Sequence, residues 1–281
     1  MFARVPASSA NLGPGFDTLA VALQLYIEVT IEPSDSFAIT SQGCGAGEFD
    51  DERHLGARVA SKILGHSNFA MHVASQIPVS RGLGSSASLA LAAAAAASST
   101  DPLVVATEVD GHAENAAASL LGGLVVAGVH EEGIVARRLA LDPVWRFVVV
   151  IPDEQLSTAD ARCVLPKDVP FDDAVANLNA LGLLIAGLAD HREFVASSMD
   201  DRLHQPYRMS LLPFAAPLLA TLRESGASAS CWSGAGSTML GLVTREVADD
   251  VTGAARAFLV EHGVEGTVLT LDVDRSGLVT S

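Results

Sequence analysis

Apolar runs and alternating apolar and polar positions recur along the chain and predict its strands, at 2–5, 19–32, 69–75, 124–129, 134–139 and 146–151. Apolar residues at helical spacing predict helices at 56–64, 86–98, 111–121, 171–189, 192–199 and 214–225. Near the C-terminus the patterns predict strands at 229–232 and 239–243, a helix at 247–261 and a strand at 266–273. The chain is therefore predicted to have an α+β fold.

A change in composition suggests that the chain has two domains. The first half is rich in Gly and Ala, the second has longer predicted helices, and L-D-P-V-W at 141–145 separates them. We therefore predict domains at 1–142 and 143–281. With 281 residues, 49% of them hydrophobic, the chain has enough apolar material for both cores, and a cleft between domains is a natural ligand site.

Charge and cysteine content exclude several classes of function. A net charge of -16 argues against nucleic acid or an anionic membrane as a partner, because both would be repelled. Cys44, Cys163 and Cys231 form no C-x-x-C pair, so neither a disulfide framework nor a zinc site is predicted. No uninterrupted apolar stretch reaches the ~18 residues of a membrane span. We expect a protein of the reducing cytoplasm.

A glycine and serine turn opens directly into an alanine-rich helix between Pro78 and Ser88, reading P-V-S-R-G-L-G-S-S-A-S. The first turn of a helix presents unpaired N–H groups and the positive end of the helix dipole, which favours a phosphate ligand. Ser85 and Ser86 supply hydroxyls for a phosphate oxygen or a magnesium ion. No G-x-x-x-x-G-K-[ST] motif occurs, which excludes a Walker A loop. On this segment alone, a serine-capped helix after a tight turn explains the pattern equally well.

Two further segments carry polar residues in patterns that suit a small ligand. Near the N-terminus, A-N-L-G-P-G-F-D-T places Asn11 and Asp17 around two glycines in a predicted loop, although a plain turn would also use such residues. The segment T-E-V-D-G-H-A-E-N then clusters acidic residues, His112 and Asn115 at the start of a helix. These carboxylates could simply complement the helix dipole. Alternatively, one of them and Ser86 could hold Mg²⁺ on a bound ATP.

A third glycine-rich turn, S-G-A-G-S-T from Ser233, lies between two predicted strands, where a hairpin alone would explain it. Taken together and in this order, the N-terminal segment, the Pro78 to Ser88 turn and this turn resemble the three signature motifs of the GHMP small-molecule kinases. The resemblance implies an N-terminal ribosomal-protein-like α/β domain and a C-terminal ferredoxin-like α+β domain. ATP is then the expected co-substrate and Mg²⁺ the expected cofactor.

Other segments resemble the members of this family that act on a hydroxylated amino acid. They are G-H-A-E-N, L-S-T-A-D-A-R-C-V-L-P and D-R-L-H-Q-P-Y-R. The resemblance implies transfer of the ATP γ-phosphate to the side-chain hydroxyl of L-homoserine, a step toward threonine. Two alternatives are a family kinase for another hydroxylated acceptor and a non-catalytic homologue that only binds nucleotide or amino acid. A homodimer is expected only because relatives often dimerise.

The resemblance also assigns roles residue by residue. The nucleotide side would comprise His54 near the adenine and, around the phosphates, Pro78, Val79, Ser80, Arg81, Gly82, Leu83, Gly84, Ser85, Ser86, Ala87 and Ser88. Ser86 and Asp110 would bind Mg²⁺, with Glu108 as the substitute for Asp110. The acceptor side would comprise Asn11, Asp17, His112, Glu114, Thr158, Arg162, Arg208 and Gly234. Arginine forks suit the α-carboxylate of the acceptor, and carboxylates suit its ammonium or hydroxyl.

Asn115 would steady the transferring phosphoryl group. Asp17 and Glu114 are the only candidates for a catalytic base, and we expect neither to be indispensable, because phosphoryl transfer depends more on alignment and charge neutralisation. The chain departs from the family pattern at Asp110 and Glu114, which stand where Glu and Asp are usual, at Ser237, which replaces a proline, and at His54, which replaces an asparagine. These departures bear on metal, acceptor and nucleotide preference.

Overall fold

The computed structural model describes residues 1–281 and contains two sheets, each covered by helices. The larger sheet has seven strands in the order β11-β1-β2-β4-β3, with β5 paired to both β2 and β6. Only β3 and β4 pair in parallel. These strands are β1 (Phe2–Asn11), β2 (Gly15–Pro33), β3 (Ala38–Gly43), β4 (Phe69–Ser75), β5 (Leu124–His130), β6 (Gly133–Leu139) and β11 (Val279–Thr280).

Four helices cover this sheet: α1 (Leu55–Leu64), α2 (Ser85–Ala96), α3 (Pro102–Asp110) and α4 (Ala113–Leu121). Helix α2 is enclosed by the other three helices and by β1 and β2. Its alanines are buried on all sides, since a residue with one methyl group favours the helix and lets neighbouring backbones approach closely. The N-terminus of α2 is thereby held rigidly at the edge of the first unit.

The second unit has a four-stranded antiparallel sheet in the order β10-β7-β9-β8. Its elements follow the chain as β7 (Arg146–Pro152), α8 (Ala215–Glu224), β8 (Ala229–Trp232), β9 (Met239–Val243), α9 (Ala248–His262) and β10 (Gly266–Leu271). This βαββαβ succession with two helices on one sheet is the ferredoxin-like arrangement that the sequence resemblance implied. Trp232 and the apolar faces of α8 and α9 fill its core.

Three helices lie between β7 and α8: α5 (Thr158–Cys163), α6 (Phe171–Ala189) and α7 (Gln205–Arg208). Helix α6 is long and apolar enough to cross a membrane by length and composition alone, a test that the core helix of a soluble protein also passes. Here its inner side packs Leu184 and Leu188 into the large core that strands of both sheets share.

The strands predicted from apolar patterns are present, but two of them are longer. β1 runs to Asn11 and β2 starts at Gly15, so the expected loop shrinks to a turn of three residues and Asp17 lies in a strand. The predicted helix at 111–121 starts at Ala113, because Gly111 ends α3 with a left-handed conformation. The sequence patterns missed β3, β11, α3, α5 and α7.

The predicted helix at 192–199 is wrong. The structure has two short 3₁₀ turns there, His191–Glu193 and Ala196–Met199, separated by extended backbone at Phe194 and Val195. The Asp190 side chain accepts a hydrogen bond from the Arg192 backbone, and this local bond competes with a continuous helix.

The domain boundary at 142 remains a prediction. Most of the first sheet lies before it and the whole second sheet lies after it. However, β11 returns to pair with β1, where Ala3 faces Thr280 and Arg4 faces Val279. A single cut therefore does not assign every residue to one unit.

Candidate active site

A cavity of about 190 Å³ opens where α2, α4, α5 and the turn after β8 meet. It brings together residues that are far apart in the sequence and that the family resemblance assigned to both nucleotide and acceptor. They are Asn11, Asp17, Ser80, Arg81, Gly82, Gly84, Ser85, Ser86, Asp110, His112, Glu114, Asn115, Thr158, Arg162, Arg208 and Gly234. Most of the residues that line it are polar or charged, which suits a small charged ligand.

Several residues predicted for the nucleotide do not line this cavity. Pro78 and Val79 lie outside it, and the side chains of Leu83, Ala87 and Ser88 are fully buried in the first unit. The Ser88 hydroxyl donates to the Pro6 carbonyl at 3.0 Å and its amide donates to the Gly84 carbonyl at 2.8 Å, so both are already bonded within the protein.

His54 lies outside the cavity as well. It is the N-cap of α1, and its Nδ1 accepts from the Gly56 amide at 3.2 Å. Burial lowers the pKa of its ring, which keeps Nδ1 available as an acceptor. The histidine therefore caps the start of α1, and its place near the adenine stays a prediction.

The glycine loop is packed tightly against both units. Gly82 has φ +76°, and a Cβ there would lie 2.2 Å from the Ser233 carbonyl oxygen. Gly84 has φ +67°, and a Cβ there would lie 2.1 Å from the Ser8 hydroxyl. Both positions thus exclude any side chain, for conformational and steric reasons together. Glycine is required here by the protein's own packing, whatever ligand the loop holds.

Helix α2 begins at this loop without a side-chain cap. Gly84 is its N-cap, no side chain bonds the first amides, and no acidic residue lies in the first turn. The amides of the first turn and the positive end of the dipole are therefore available to an anion. Ser86 is exposed in this turn, whereas Arg81 is occupied, since its guanidinium bonds the carbonyls of Pro152 at 2.9 Å and Val79 at 3.2 Å.

Asp110 ends α3 and faces the start of α4 across the cavity. Asn115 Nδ2 lies 3.5 Å from Asp110 Oδ2, and Asn115 Oδ1 accepts from the Ser8 hydroxyl at 3.0 Å. Burial raises the pKa of Asp110, and no ion pair offsets it. Glu108 instead forms an exposed ion pair with Lys62 at 3.0 Å and does not line the cavity. Of the two candidate metal ligands, only Asp110 lies beside Ser86.

Glu114 is the most strongly perturbed acid in the cavity. It lies in the first turn of α4 with only 4% of its surface exposed. Burial raises its pKa to about 7, and the nearby Asp17 and Asp110 carboxylates act in the same direction. Glu114 is therefore only partly ionised at neutral pH, whereas Asp17 has an arginine as its partner.

Arg162 links the second unit to strand β2 of the first unit. From α5 it donates through Nη2 to both carboxylate oxygens of Asp17, at 2.6 and 2.8 Å. Its Nε is buried without a partner. The guanidinium carbon also lies 5.2 Å from the centre of the Phe16 ring. Asp17 is thus already neutralised by one side of the guanidinium, and Arg162 retains unused donors.

Arg208 is almost completely buried, at 1% exposure, behind Arg162. Its Nε donates to the Ala161 carbonyl at 3.2 Å, and Nη1 donates to the Gly234 carbonyl at 2.9 Å. Burial, followed by repulsion from Arg162, lowers its pKa to about 10, which still leaves it charged at neutral pH. These bonds leave Nη2 for a ligand.

The turn after β8 closes the cavity from the other side. The Gly234 amide donates to the Ala10 carbonyl at 2.9 Å, and the Gly234 carbonyl accepts from Asn11 Nδ2 at 2.7 Å. Oδ1 of the Asn11 side chain accepts a hydrogen bond from the Asp17 backbone amide at 3.0 Å. Ser237, which stands in place of a proline, is buried and donates to the Glu154 carbonyl. Its hydroxyl therefore anchors the turn.

Sequence reasoning missed three residues that shape the site: Ser8, Phe16 and His204. Phe16 lies between Arg162 and Arg208, and its ring stacks on His204 at 5.0 Å. The only sequence signal for Phe16 and His204 is their place inside the motifs N-L-G-P-G-F-D-T and D-R-L-H-Q-P-Y-R. No periodicity or spacing indicates a contact between residues so far apart.

Comparison with known proteins identifies the family. The model of the GHMP kinases N terminal domain matches residues 53–123, and the GHMP kinases C terminal model matches residues 177–261. The chain is 37% identical to homoserine kinase of Desulfitobacterium hafniense, covering 98% of this chain and 97% of that protein. It is 39% identical to homoserine kinase of Streptomyces avermitilis, covering 96% and 92%. The crystal structure of homoserine kinase from Cytophaga hutchinsonii superimposes with a TM-score of 0.86 at 25% identity, covering 99% and 96%.

Proposed function

Since this chain belongs to the homoserine kinase family of GHMP kinases, we propose that it transfers the γ-phosphate of ATP to the side-chain hydroxyl of L-homoserine in the cavity described above. The product is O-phospho-L-homoserine, an intermediate of threonine biosynthesis. One observation carries the assignment of the site: the uncapped start of α2 and two arginines face the same small cavity. A phosphate donor and a carboxylate-bearing acceptor fit these two walls.

The nucleotide phosphates bind at the start of α2. The amides of Ser85 and Ser86 and the positive end of the helix dipole neutralise phosphate charge without any lysine. Asn115 faces the same space with its amide fixed by Ser8 and Asp110. Its Nδ2 group is directed toward the place where the transferring phosphoryl group passes. His54 does not line the cavity, so a purine at its predicted place near His54 would lie outside the cavity.

The residues present suit Mg²⁺. Ser86 and Asp110 offer a hydroxyl and a carboxylate oxygen, which are hard ligands of the kind this ion prefers. Burial raises the pKa of Asp110, and its carboxyl group has no cationic partner. A cation bound beside it would therefore favour the ionised carboxylate. When bound, Mg²⁺ supplies positive charge to the β- and γ-phosphates. Asn115 holds the Asp110 carboxylate at its place, and Ser8 in turn holds Asn115.

The acceptor binds between Phe16, Arg162 and Arg208. Its α-carboxylate takes the unused donors of the two arginines, and Thr158 at the start of α5 adds a hydroxyl. Asn11, His112 and Gly234 complete the wall, and Glu114 faces the ammonium or hydroxyl end. Because Asp17 is bound by Arg162 through both oxygens, it orients that arginine. Alignment by these groups brings the hydroxyl in line with the γ-phosphate.

No residue is required as a strong base in this mechanism. The γ-phosphoryl group passes through a loose transition state, in which the hydroxyl proton can leave late. Asp17 is ion-paired, and Glu114 is partly protonated at neutral pH. Glu114 contributes mainly by accepting hydrogen bonds from the acceptor.

Cysteine content and net charge bear on cell location and on partners. The three cysteines are unpaired, which suits the reducing cytoplasm. The net charge of -16 is unfavourable for binding nucleic acid or an anionic membrane. A homodimer stays a prediction that light scattering coupled to size-exclusion chromatography would decide.

One assay tests the proposed function directly. ATP turnover is measured with homoserine, mevalonate, shikimate and galactose, each with and without Mg²⁺. We expect turnover with homoserine and Mg²⁺ only. Turnover with another acceptor alone would reassign the substrate, and no turnover with any acceptor would favour a binding protein without catalysis.

A further inference from the structure

His204 is fully buried directly before α7. It contacts both the turn at Gly13 and the acceptor-binding Arg208. Its Nε2 lies 2.8 Å from the Gly13 carbonyl oxygen, and its Nδ1 lies 3.1 Å from Arg208 Nη1. A carbonyl can only accept and a guanidinium can only donate. The proton of the ring must therefore lie on Nε2, and Nδ1 must be the acceptor for Arg208.

The surroundings keep this ring neutral. Burial, the largest cause, lowers the pKa of His204; the charge of Arg208 acts in the same direction, and the Asp201 and Asp17 carboxylates partly oppose it. Asp201 Oδ2 lies 3.3 Å from Nε2, but the same oxygen already accepts the backbone amides of His204 and Gln205, at 3.2 and 2.6 Å. Only a neutral ring can accept the hydrogen bond from Arg208 at Nδ1, whereas the Nε2–H bond to Gly13 forms in either charge state.

Phe16 extends the contacts of His204 to the second arginine. The two rings stack at 5.0 Å with an interplanar angle of 22°. The other neighbours of Phe16 are the guanidinium groups of Arg162 at 5.2 Å and Arg208 at 5.4 Å. His204 thus supports Arg208 directly, Phe16 by stacking, and the turn that leads to Phe16 through Gly13. No role was assigned to it above.

We propose that His204 is a positioning residue, which fixes the orientation of Arg208 toward the acceptor by accepting a hydrogen bond at Nδ1 while it anchors the Gly13 turn through Nε2–H. The proposal rests on the proposed function, in which Arg208 binds the acceptor carboxylate. Without the acceptor at Nδ1, the planar Arg208 guanidinium loses one of its three bonds, and the two to the Gly234 and Ala161 carbonyls hold its orientation less firmly. Its Nη2 then loses its fixed direction.

Two isosteric variants separate the two bonds of the ring. In His204→Asn the side-chain oxygen takes the place of Nδ1, so the bond from Arg208 is kept and the bond to Gly13 is lost. In His204→Gln the amide nitrogen takes the place of Nε2, so the bond to Gly13 is kept and the acceptor for Arg208 is lost. We expect His204→Gln to raise KM for homoserine about 10- to 100-fold, which is the usual worth of a hydrogen bond to a charged group. His204→Asn should stay within about threefold of wild type on the same basis.

Two further readouts exclude a merely structural effect. KM for ATP should change less than about twofold in both variants, because a lost hydrogen bond acts on the bound group alone. His262→Gln is the control, since His262 also stacks on a phenylalanine and lies 3.0 Å from a backbone carbonyl, that of Phe258, but far from the cavity. Wild-type KM for homoserine in folded His204→Gln, or equal rises in both variants, would overturn the proposal.

A spectroscopic readout separates this proposal from the proposed function. If wild-type protein does not phosphorylate homoserine, the proposed function fails. The ¹⁵N shifts of the His204 ring must still show the Nε2–H tautomer at neutral pH, and the Arg208 side-chain resonances must shift in His204→Gln but not in His204→Asn. An Nδ1–H or charged ring, or unshifted Arg208 resonances, would refute the positioning role independently of activity.

Discussion

The two walls of the cavity are built in opposite ways. The phosphate wall consists of backbone amides at the start of α2, and its glycines and alanines are dictated by close packing. The acceptor wall consists of long charged side chains, Asp17, Glu114, Arg162 and Arg208, that reach the cavity from four separate segments. A backbone site depends on local conformation, whereas a side-chain site depends on the tertiary structure. Substitutions should therefore affect the two walls differently.

We expect the largest effect on the acceptor wall, from Arg208→Met. It removes a buried charge together with the side-chain bonds to the Ala161 and Gly234 carbonyls, of which Gly234 keeps only its bond from Asn11. The kcat/KM for homoserine should fall ~10³-fold, in the range for truncating a buried, hydrogen-bonded charge. Steady-state kinetics with each substrate varied in turn provides the measurement. Arg202→Met is the matched control, because Arg202 pairs with Asp173 at an exposed position.

If Arg208→Met changes KM for ATP as much as KM for homoserine, the two walls are not separable, and the contrast between them fails.

Ser86→Ala should act on the phosphate wall alone. The exposed hydroxyl packs against nothing in the core, so the melting temperature should stay within about 2 °C of wild type. Turnover should fall about 10- to 100-fold at limiting Mg²⁺, the usual cost of perturbing a metal site. Titration of activity with Mg²⁺ tests this. Ser85→Ala, in the same turn, should have the smaller effect, and unchanged turnover of Ser86→Ala would remove the residue from the metal site.

Gly82→Ala tests the packing between the loop and the turn after β8. A Cβ at Gly82 would meet the Ser233 carbonyl, whereas Gly47 has nearly the same φ, +77°, and open space around its Cα. Gly47→Ala therefore measures the conformational penalty alone. We expect Gly82→Ala to cost about 1–3 kcal/mol more than Gly47→Ala in free energy of unfolding, typical of forced backbone strain. Denaturant titration of both variants gives the difference, and equal costs would mean that the loop moves away freely.

Glu114→Gln should have the smallest effect on catalysis. The rate at saturating substrate should stay within about tenfold of wild type, and a loss beyond ~10⁴-fold would show that Glu114 is a base, since general bases rarely contribute more. Glu131→Gln, at an exposed position, is the control.

The same substitution has a pH-dependent effect on stability. The folded pKa of Glu114 is about 7 and the unfolded value is 4.5, so the folded state binds more protons between these values. Stability therefore falls as pH rises from 4.5 to 7, by at most about 3 kcal/mol. Glu114→Gln should remove this loss: its free energy of unfolding should exceed that of wild type at pH 8 and match it near pH 4. Equal stabilities at pH 8 would mean that the carboxyl is solvated.

The contrast between the walls also explains what sequence could predict. The glycine loop, the alanine helix and the ferredoxin-like order of elements are local patterns, and they appear in the structure at nearly the predicted positions. The packing reason for Gly82 was not predictable, because Ser233 lies 151 residues away. The His204 and Phe16 stack likewise depends on long-range contact. Arg81 was assigned to phosphate from its place in the motif, but carbonyl groups of the second unit occupy its guanidinium.

The bonds between the glycine loop and the turn after β8 also bear on how the protein unfolds. Ser233 Oγ donates to the Gly82 carbonyl at 2.6 Å, the Thr238 amide donates to the Arg81 carbonyl at 3.2 Å, and the Gly234 amide donates to Ala10. These bonds cross between the two units at the catalytic cavity. Neither unit can therefore open there alone, and the Gly234 and Thr238 amides should exchange hydrogen only by global unfolding. These bonds add to the apolar core that the two sheets share, so we expect the two units to unfold together.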